Sequence, residues 1–156
     1  MKNPLRLLLS IAACLLIGFL GSLVTTPSVS TWFSTINKPS FSPPNWLFAP
    51  VWTILYILMG ISAYLVWNKG LEKKGVREAL IIFGVQLVFN FLWSFIFFGL
   101  HQPLLAFLEI IILWLLILQT FLKFRKISSL AGYFLLPYLI WVTFAAFLNF
   151  TIARLN

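Results

Sequence analysis

Few residues of this chain are of the kinds that carry hydrolytic, redox or metal chemistry. Three acidic residues, one histidine and one cysteine occur among 156 residues. Because Cys14 is alone, no disulfide can form within the chain, and because His101 is alone, no multi-histidine metal cluster can form. The sequence also contains no recognisable serine–histidine–acid set and no phosphate-binding glycine loop. We therefore predict no metal site and no classical catalytic motif.

Charge is scarce as well, whereas apolar and aromatic side chains are abundant. Charged residues make up 9% of the chain, hydrophobic residues 62% and aromatic residues 18%. A soluble domain of this size could not bury so much apolar surface, so the composition predicts a membrane protein in contact with lipid. The net charge is +8. Because the basic residues lie between apolar runs and not on one face, we predict that nucleic acid is not a partner.

Five apolar runs divide the chain, and each is long enough to cross a hydrocarbon core about 30 Å thick. The first run follows Lys2 and Arg6, but it is longer than the core of a signal peptide and no clear cleavage site follows it. We therefore predict an all-α membrane protein, in which residues 1–156 form one domain with a bundle of five transmembrane helices. The predicted helices cover about residues 7–24, 45–67, 79–100, 103–122 and 130–152.

The basic residues predict the orientation of this bundle. Nine of them lie at the N-terminus and in the second and fourth connections, which share one side, and only Lys38 and Arg154 lie on the other side. Because basic loops are retained in the cytoplasm, we expect a cytoplasmic N-terminus. The expected location is a bacterial cell membrane, as a multi-pass integral protein, with a mitochondrial outer membrane as the alternative.

The connection of residues 25–45 is the longest and is rich in serine, threonine and proline. It also carries four large apolar side chains that require burial, those of Trp32, Phe33, Ile36 and Phe41. We expect this segment to fold back over one end of the bundle as a lid.

Polar and aromatic residues recur at helical spacing inside the runs, so each set lies on one helix face. The sets are Gln86, Asn90 and Ser94 with the nearby Trp93, then Trp52 and Tyr56, and then Trp141, Ala145 and Asn149. Trp52 and Tyr56 should lie deeper than a belt of interfacial aromatic residues. An amide in hydrocarbon needs a partner, so Asn90 either bonds to a neighbouring helix or contacts a ligand.

Two further patterns each leave two interpretations open. Ser10, Cys14, Gly18 and Ser22 are spaced by four, and such a smooth face suits either packing within the bundle or the interface of a homodimer. Glu109 lies inside the fourth run. An acidic residue at this position is either functional, or it stays protonated or reaches the membrane interface.

Three blocks of sequence, taken together at their spacings, resemble the TspO family of translocator proteins, also called peripheral benzodiazepine receptors. The blocks are PPNWLFAPVWTILYILMGISAYLVW (43–67), QLVFNFLWSFIFF (86–98) and PYLIWVTFAAFLNFTIARLN (137–156). The resemblance implies five helices around a pocket beneath the first long connection. It also implies binding of porphyrins, above all protoporphyrin IX, and of hydrophobic ligands of the benzodiazepine-receptor site. Protoporphyrin IX is then a ligand or substrate, and no resident cofactor is expected.

The family's pocket residues correspond to Trp52, Asn90, Trp141 and Ala145 of this chain. The full set of candidate ligand-binding residues is Trp52, Tyr56, Asn90, Trp93, Ser94, Trp141, Ala145 and Leu148. Some members of the family resemble catalysts of light-dependent porphyrin breakdown. For such a reaction we predict a photochemical role for Trp52 and Trp141, which exchange electrons with the porphyrin or shield its intermediates. The sterol motif of mammalian relatives is not matched, because Arg154 is the first basic residue after Tyr138.

Two other functions remain open at this point. A transporter or channel for tetrapyrroles or sterols is one alternative, although no inverted repeat and no line of intramembrane charges is visible. A non-catalytic stress sensor or scaffold is the other, and the small-residue face of the first helix would then contact a partner. The expected partners are porphyrins and other small hydrophobic ligands, membrane lipid and, in the homodimer interpretation, a second copy of the chain.

Overall fold

A computed structural model describes residues 3–156, which are helical along most of their length. In chain order the elements are α1 (Pro4–Val29), α2 (Trp32–Thr35), α3 (Asn45–Trp67), α4 (Lys74–Ser94), a π-helical turn (Phe95–Gly99), α5 (Pro103–Ile127) and α6 (Ser129–Leu155). Among these residues, α1, α3, α4 with its π-helical turn, α5 and α6 are long and apolar enough to cross a membrane. The predicted all-α bundle of five transmembrane helices is confirmed.

Helix α3 has the predicted boundaries, whereas the other four long helices extend beyond theirs. Helix α1 continues to Val29 instead of ending at residue 24, α4 begins at Lys74 instead of residue 79, and α5 continues to Ile127 instead of residue 122. These helices are longer because backbone hydrogen bonds continue past the last apolar residue of a run into the polar sequence beside it. Polar side chains complete the ends: the Asn3 carboxamide oxygen accepts from two backbone N–H groups at the start of α1.

The five long helices alternate in direction, which gives the bundle two distinct ends. At one end, which we call the basic end, residues 68–73 connect α3 to α4 and residue 128 connects α5 to α6. There the Asn3 backbone N–H donates to the Tyr64 hydroxyl (3.2 Å). At the other, which we call the loop end, lie residues 30–44, 100–102 and the C-terminal residue. There the Asn37 backbone N–H donates to the Asn156 side chain (3.0 Å).

The small-residue face of α1 packs inside the bundle. Ser10 and Cys14 are buried, and a Cβ atom added to Gly18 would lie 2.7 Å from the Tyr56 ring. Further along, a Cβ added to Gly60 of α3 would lie 2.5 Å from the Ile11 Cα, so the two backbones are in direct contact. These contacts favour packing within the bundle for Ser10, Cys14 and Gly18, whereas Ser22 is exposed. A homodimer stays a prediction.

The connection at the loop end is shorter than predicted, since it begins after Val29, and it contains helix α2. Phe33 is buried, with ring centroids 6.1 Å from Phe97 and 5.5 Å from Phe98. Phe41 lies 5.5 Å from Phe147 of α6. The segment is therefore held against the π-helical turn and α6, and its action as a lid stays a prediction.

Candidate ligand cavity

A cavity of about 450 Å³ lies in the half of the bundle nearer the loop end. Its walls come from α1, α3, the end of α4 with the π-helical turn, and α6, together with Phe33 of α2. The volume falls in the range typical of small-molecule sites, which is roughly 300–1,000 Å³. The cavity is thus large enough for a drug-sized ligand.

Seven of the eight candidate residues line this cavity: Trp52, Tyr56, Trp93, Ser94, Trp141, Ala145 and Leu148. They come from α3, α4 and α6, which are far apart in sequence. Helical periodicity therefore identified faces that do meet around one space.

Asn90 is the exception, because it lies behind the cavity wall. Its side-chain oxygen accepts from the Tyr56 hydroxyl (2.6 Å), and its side-chain nitrogen donates to the Tyr138 hydroxyl (2.8 Å). The Tyr138 hydroxyl in turn donates to the Gln86 side-chain oxygen (2.7 Å). Asn90 is 3% exposed and is not among the residues that line the cavity. Of its two interpretations, the structure favours the bond to neighbouring helices, with Tyr56 standing between Asn90 and the cavity.

Aromatic rings form much of the cavity wall. Trp52 and Tyr56 have centroids 5.6 Å apart, Phe48 and Trp141 are 6.2 Å apart, and Trp93 stacks on Phe97 at 5.1 Å. These distances fall in the range of favourable aromatic pairs, about 4.5–7 Å. The rings support one another, so the wall offers ordered flat faces to a ligand.

The indole N–H groups of the wall differ in their hydrogen bonding. The Trp93 Nε1–H donates to the Asn149 side-chain oxygen (2.9 Å), and the Asn149 side-chain nitrogen donates to the Pro103 carbonyl (2.8 Å). Trp93 is therefore fixed in place. The Trp141 Nε1 is buried and has no partner within residues 3–156. Since buried donors are normally paired, this group is a candidate donor to a ligand.

The π-helical turn brings Phe97 and Phe98 into the wall. Such turns are rare and occur frequently at functional sites.

His101, two residues after the end of this turn, has a backbone φ angle of 56°, in the left-handed region. Its ring stacks on Trp32 at 4.5 Å, and its Nε2 lies 3.3 Å from the Ser28 Oγ. His101 therefore links α1 and α2 to the turn before α5.

Sequence reasoning missed the contribution of α1 to the cavity. Gly18, Ser22 and Thr25 line it, as do Phe48 of α3 and the two phenylalanines of the π-helical turn. The signal on α1 was its run of small residues, but that pattern indicates close packing and does not distinguish contact with a helix from contact with a ligand.

None of the residues that line the cavity carries a formal charge. Glu109 is not among them. It is 7% exposed, and neither carboxyl oxygen has a hydrogen-bond partner within the described chain. The cavity is therefore a neutral, mostly apolar site, and Glu109 belongs to a different part of the bundle.

Comparison with known proteins agrees with the family resemblance of the sequence. A model of the TspO/MBR family matches residues 10–155. The chain belongs to this family. It is 45% identical over 155 residues to the tryptophan-rich protein TspO of Chlorobaculum tepidum, covering 99% of this chain and 98% of the relative. It is 47% identical over 154 residues to the tryptophan-rich protein TspO of Archaeoglobus fulgidus, covering 99% of both.

The family extends to animals. The chain is 36% identical over 135 residues to the translocator protein of Ovis aries, covering 85% of this chain and 79% of that protein. The family resemblance noted in three sequence blocks is thus confirmed along almost the whole chain. Together with its five membrane-spanning helices, this membership identifies an integral membrane protein.

Proposed function

We propose that this protein is a receptor-like membrane protein that binds porphyrins, above all protoporphyrin IX, and other flat hydrophobic ligands in the cavity. The observation that carries the proposal is the neutral cavity of about 450 Å³ with the indoles of Trp52, Trp93 and Trp141 in its wall. A flat aromatic ligand can stack on such faces, and each favourable pair contributes about 0.5–1.5 kcal/mol beyond the area it buries.

The polar groups of the wall would orient the ligand. The unpaired Trp141 N–H can donate to a ligand carbonyl or ring nitrogen. The Tyr56 hydroxyl gives its hydrogen to Asn90, so its oxygen is left to accept from a ligand N–H. A few polar groups in an otherwise apolar site are the usual source of orientation and specificity.

The experiment is a titration in the dark of the purified, detergent-solubilised protein with protoporphyrin IX, followed by the porphyrin absorption bands. The proposal predicts a saturable change that ends near one porphyrin per chain. A change that rises without saturation, as in empty micelles, would contradict it. The same sample under light tests breakdown: loss of the bands faster than in micelles alone indicates degradation, and stable bands indicate binding only.

Transport of such ligands is a second candidate, and one observation favours it. The cavity wall includes exposed residues of two neighbouring helices, Leu15 and Phe19 of α1 and Ala49 and Thr53 of α3. The cavity therefore extends to the surface of the bundle between these helices, where lipid would lie. Porphyrin flux into reconstituted vesicles that scales with the amount of protein would support transport. Binding without flux would count against it.

We also propose that the basic end faces the cytoplasm of a bacterial cell and the loop end faces outward. The basis is charge: Lys69, Lys73 and Arg77 lie at the basic end, as do Lys123 and Arg125. Labelling of intact cells with a membrane-impermeant thiol reagent tests this, with Cys14→Ser as the background. Asn37→Cys should be labelled and Lys69→Cys protected, and the reverse pattern would contradict the orientation.

A further inference from the structure

A porphyrin with carboxylate side chains poses a problem for the neutral cavity. No formal charge lines the wall, and an ionised carboxylate buried without a partner costs several kcal/mol. The carboxylates must therefore remain at the edge of the site, where water or a cation can reach them. Within residues 3–156, the basic residues at the loop end are Lys38 and Arg154.

Lys38 is held at the edge of the cavity wall. Its ammonium donates to the backbone carbonyls of Phe33 (2.7 Å) and Ile36 (3.2 Å). It also lies 4.7 Å from the centroid of the Phe33 ring, and Phe33 is the residue of α2 that lines the cavity. The charge is thus fixed against a ring that belongs to the cavity wall.

The Lys38 ammonium has hydrogen-bonding capacity to spare. An ammonium group has three donors, and two of them go to backbone carbonyls. Neither carbonyl neutralises the charge of Lys38. Within residues 3–156 no salt bridge to Lys38 is present, and the ion pair that is present joins Lys74 and Glu78 at the basic end. A positioned cation with a free donor is suited to receive a carboxylate.

Arg154 differs from Lys38 in the aromatic ring that its charged group contacts. Its guanidinium lies 5.9 Å from the centroid of Phe150, which is not among the residues that line the cavity. The two residues therefore carry the same charge at the same end of the bundle, but the described ring contact of Lys38 is with a residue that lines the cavity and that of Arg154 is not.

We propose that Lys38 is a selectivity residue, which binds a carboxylate of the ligand at the rim while the apolar macrocycle occupies the cavity. The inference rests on the proposed function and makes it more specific. The preferred ligands are flat hydrophobic molecules that carry a carboxylate on one edge, and the carboxylate edge points toward the loop end. The same molecules with esterified carboxylates lose this contact and keep the others.

The test compares protoporphyrin IX with its dimethyl ester in dark titrations of the full-length protein in a non-ionic detergent. For the unchanged protein the diacid should bind more tightly than the ester. Lys38→Gln should weaken the diacid by about tenfold, as expected for loss of one charge-assisted hydrogen bond, and leave the ester unchanged. Lys38→Arg should keep the preference for the diacid. Arg154→Gln is the matched control and should also keep it.

The outcomes separate this inference from the proposed function. If Lys38→Gln weakens the diacid and the ester equally, the residue only holds α2 in place, and the inference is wrong. If it changes neither, the inference is wrong and the proposed function stands. If neither compound binds the unchanged protein saturably, the proposed function fails and the inference fails with it.

Discussion

The Tyr56 hydroxyl donates a 2.6 Å hydrogen bond to the Asn90 side chain, and this contact separates the cavity wall from the support behind it. Tyr56 faces the cavity, whereas Asn90 joins it to Tyr138 and, through Tyr138, to Gln86. Three helices, α3, α4 and α6, are thereby connected at the level of the cavity floor.

Asn90→Ala should destabilise the protein more than it weakens binding. The change removes the acceptor of the Tyr56 hydroxyl, which is left unsatisfied at a cost of about 1–3 kcal/mol, and one donor to the Tyr138 hydroxyl, which keeps its bond to Gln86. We expect a thermal unfolding midpoint several degrees lower in detergent. Asn45→Ala, at an exposed amide that lines the cavity, is the control for stability and should leave the unfolding midpoint unchanged. Lost porphyrin binding at unchanged thermal stability would indicate direct ligand contact by Asn90 instead.

Gly60→Ala should disrupt the contact between α1 and α3. The added Cβ would lie 2.5 Å from the Ile11 Cα, so a backbone must move, and such overpacking costs about 1–3 kcal/mol. Gly84→Ala on α4 is the matched control, because nothing lies within 4 Å of its Cβ. The control should be neutral or slightly stabilising, since alanine favours helix. Equal thermal stability of the two variants would show that α1 and α3 are not in backbone contact.

Gly18→Leu should reduce ligand binding without changing the oligomeric state. Gly18 lines the cavity, and its Cβ would already approach the Tyr56 ring to 2.7 Å, so a leucine must either displace Tyr56 or fill the site. Ala13→Leu, on the exposed side of the same helix, should bind porphyrin normally. Dark titrations and native gels measure both properties. A dissociated oligomer with unchanged binding would restore the interface interpretation of this face.

Asn156→Ala should loosen the connection at the loop end. The Asn156 side chain accepts from the Asn37 backbone N–H (3.0 Å) and donates to the Asn37 carbonyl (2.8 Å), so it fastens this segment to α6. Amide hydrogen exchange of residues 32–38 should become about fivefold to tenfold faster, as expected when about 1–1.4 kcal/mol of local stability is lost. Thr151→Ala is the control, because its hydroxyl bonds only within α6. Unchanged exchange would show that the aromatic contacts and the Asn37 side-chain bond to the Leu155 carbonyl hold the connection without the Asn156 side chain.

The five helices could be predicted because hydrophobic length alone determines which segments cross a bilayer. The ends of α3 were predicted correctly, but most other ends could not be, because caps such as the Asn3 side chain extend helices into polar sequence. Periodicity also identified part of the cavity, since it specifies the face on which Trp52 or Trp141 lies. It could not place Asn90, because a ring from another helix stands in front of it. Depth behind a wall depends on how helices pack, and spacing along one helix contains no such information.

The central claim is that the ligand binds among the indoles of this cavity. The most direct test measures the dissociation constant of protoporphyrin IX in the dark, from the porphyrin absorption bands, for Trp52→Phe, Trp141→Phe and Trp46→Phe. Trp46 is 72% exposed and does not line the cavity, so it is the matched control. The account predicts about tenfold weaker binding for the first two variants, through lost stacking area and a lost N–H donor, and unchanged binding for Trp46→Phe. Equal affinities for all three would place the porphyrin elsewhere and contradict the account.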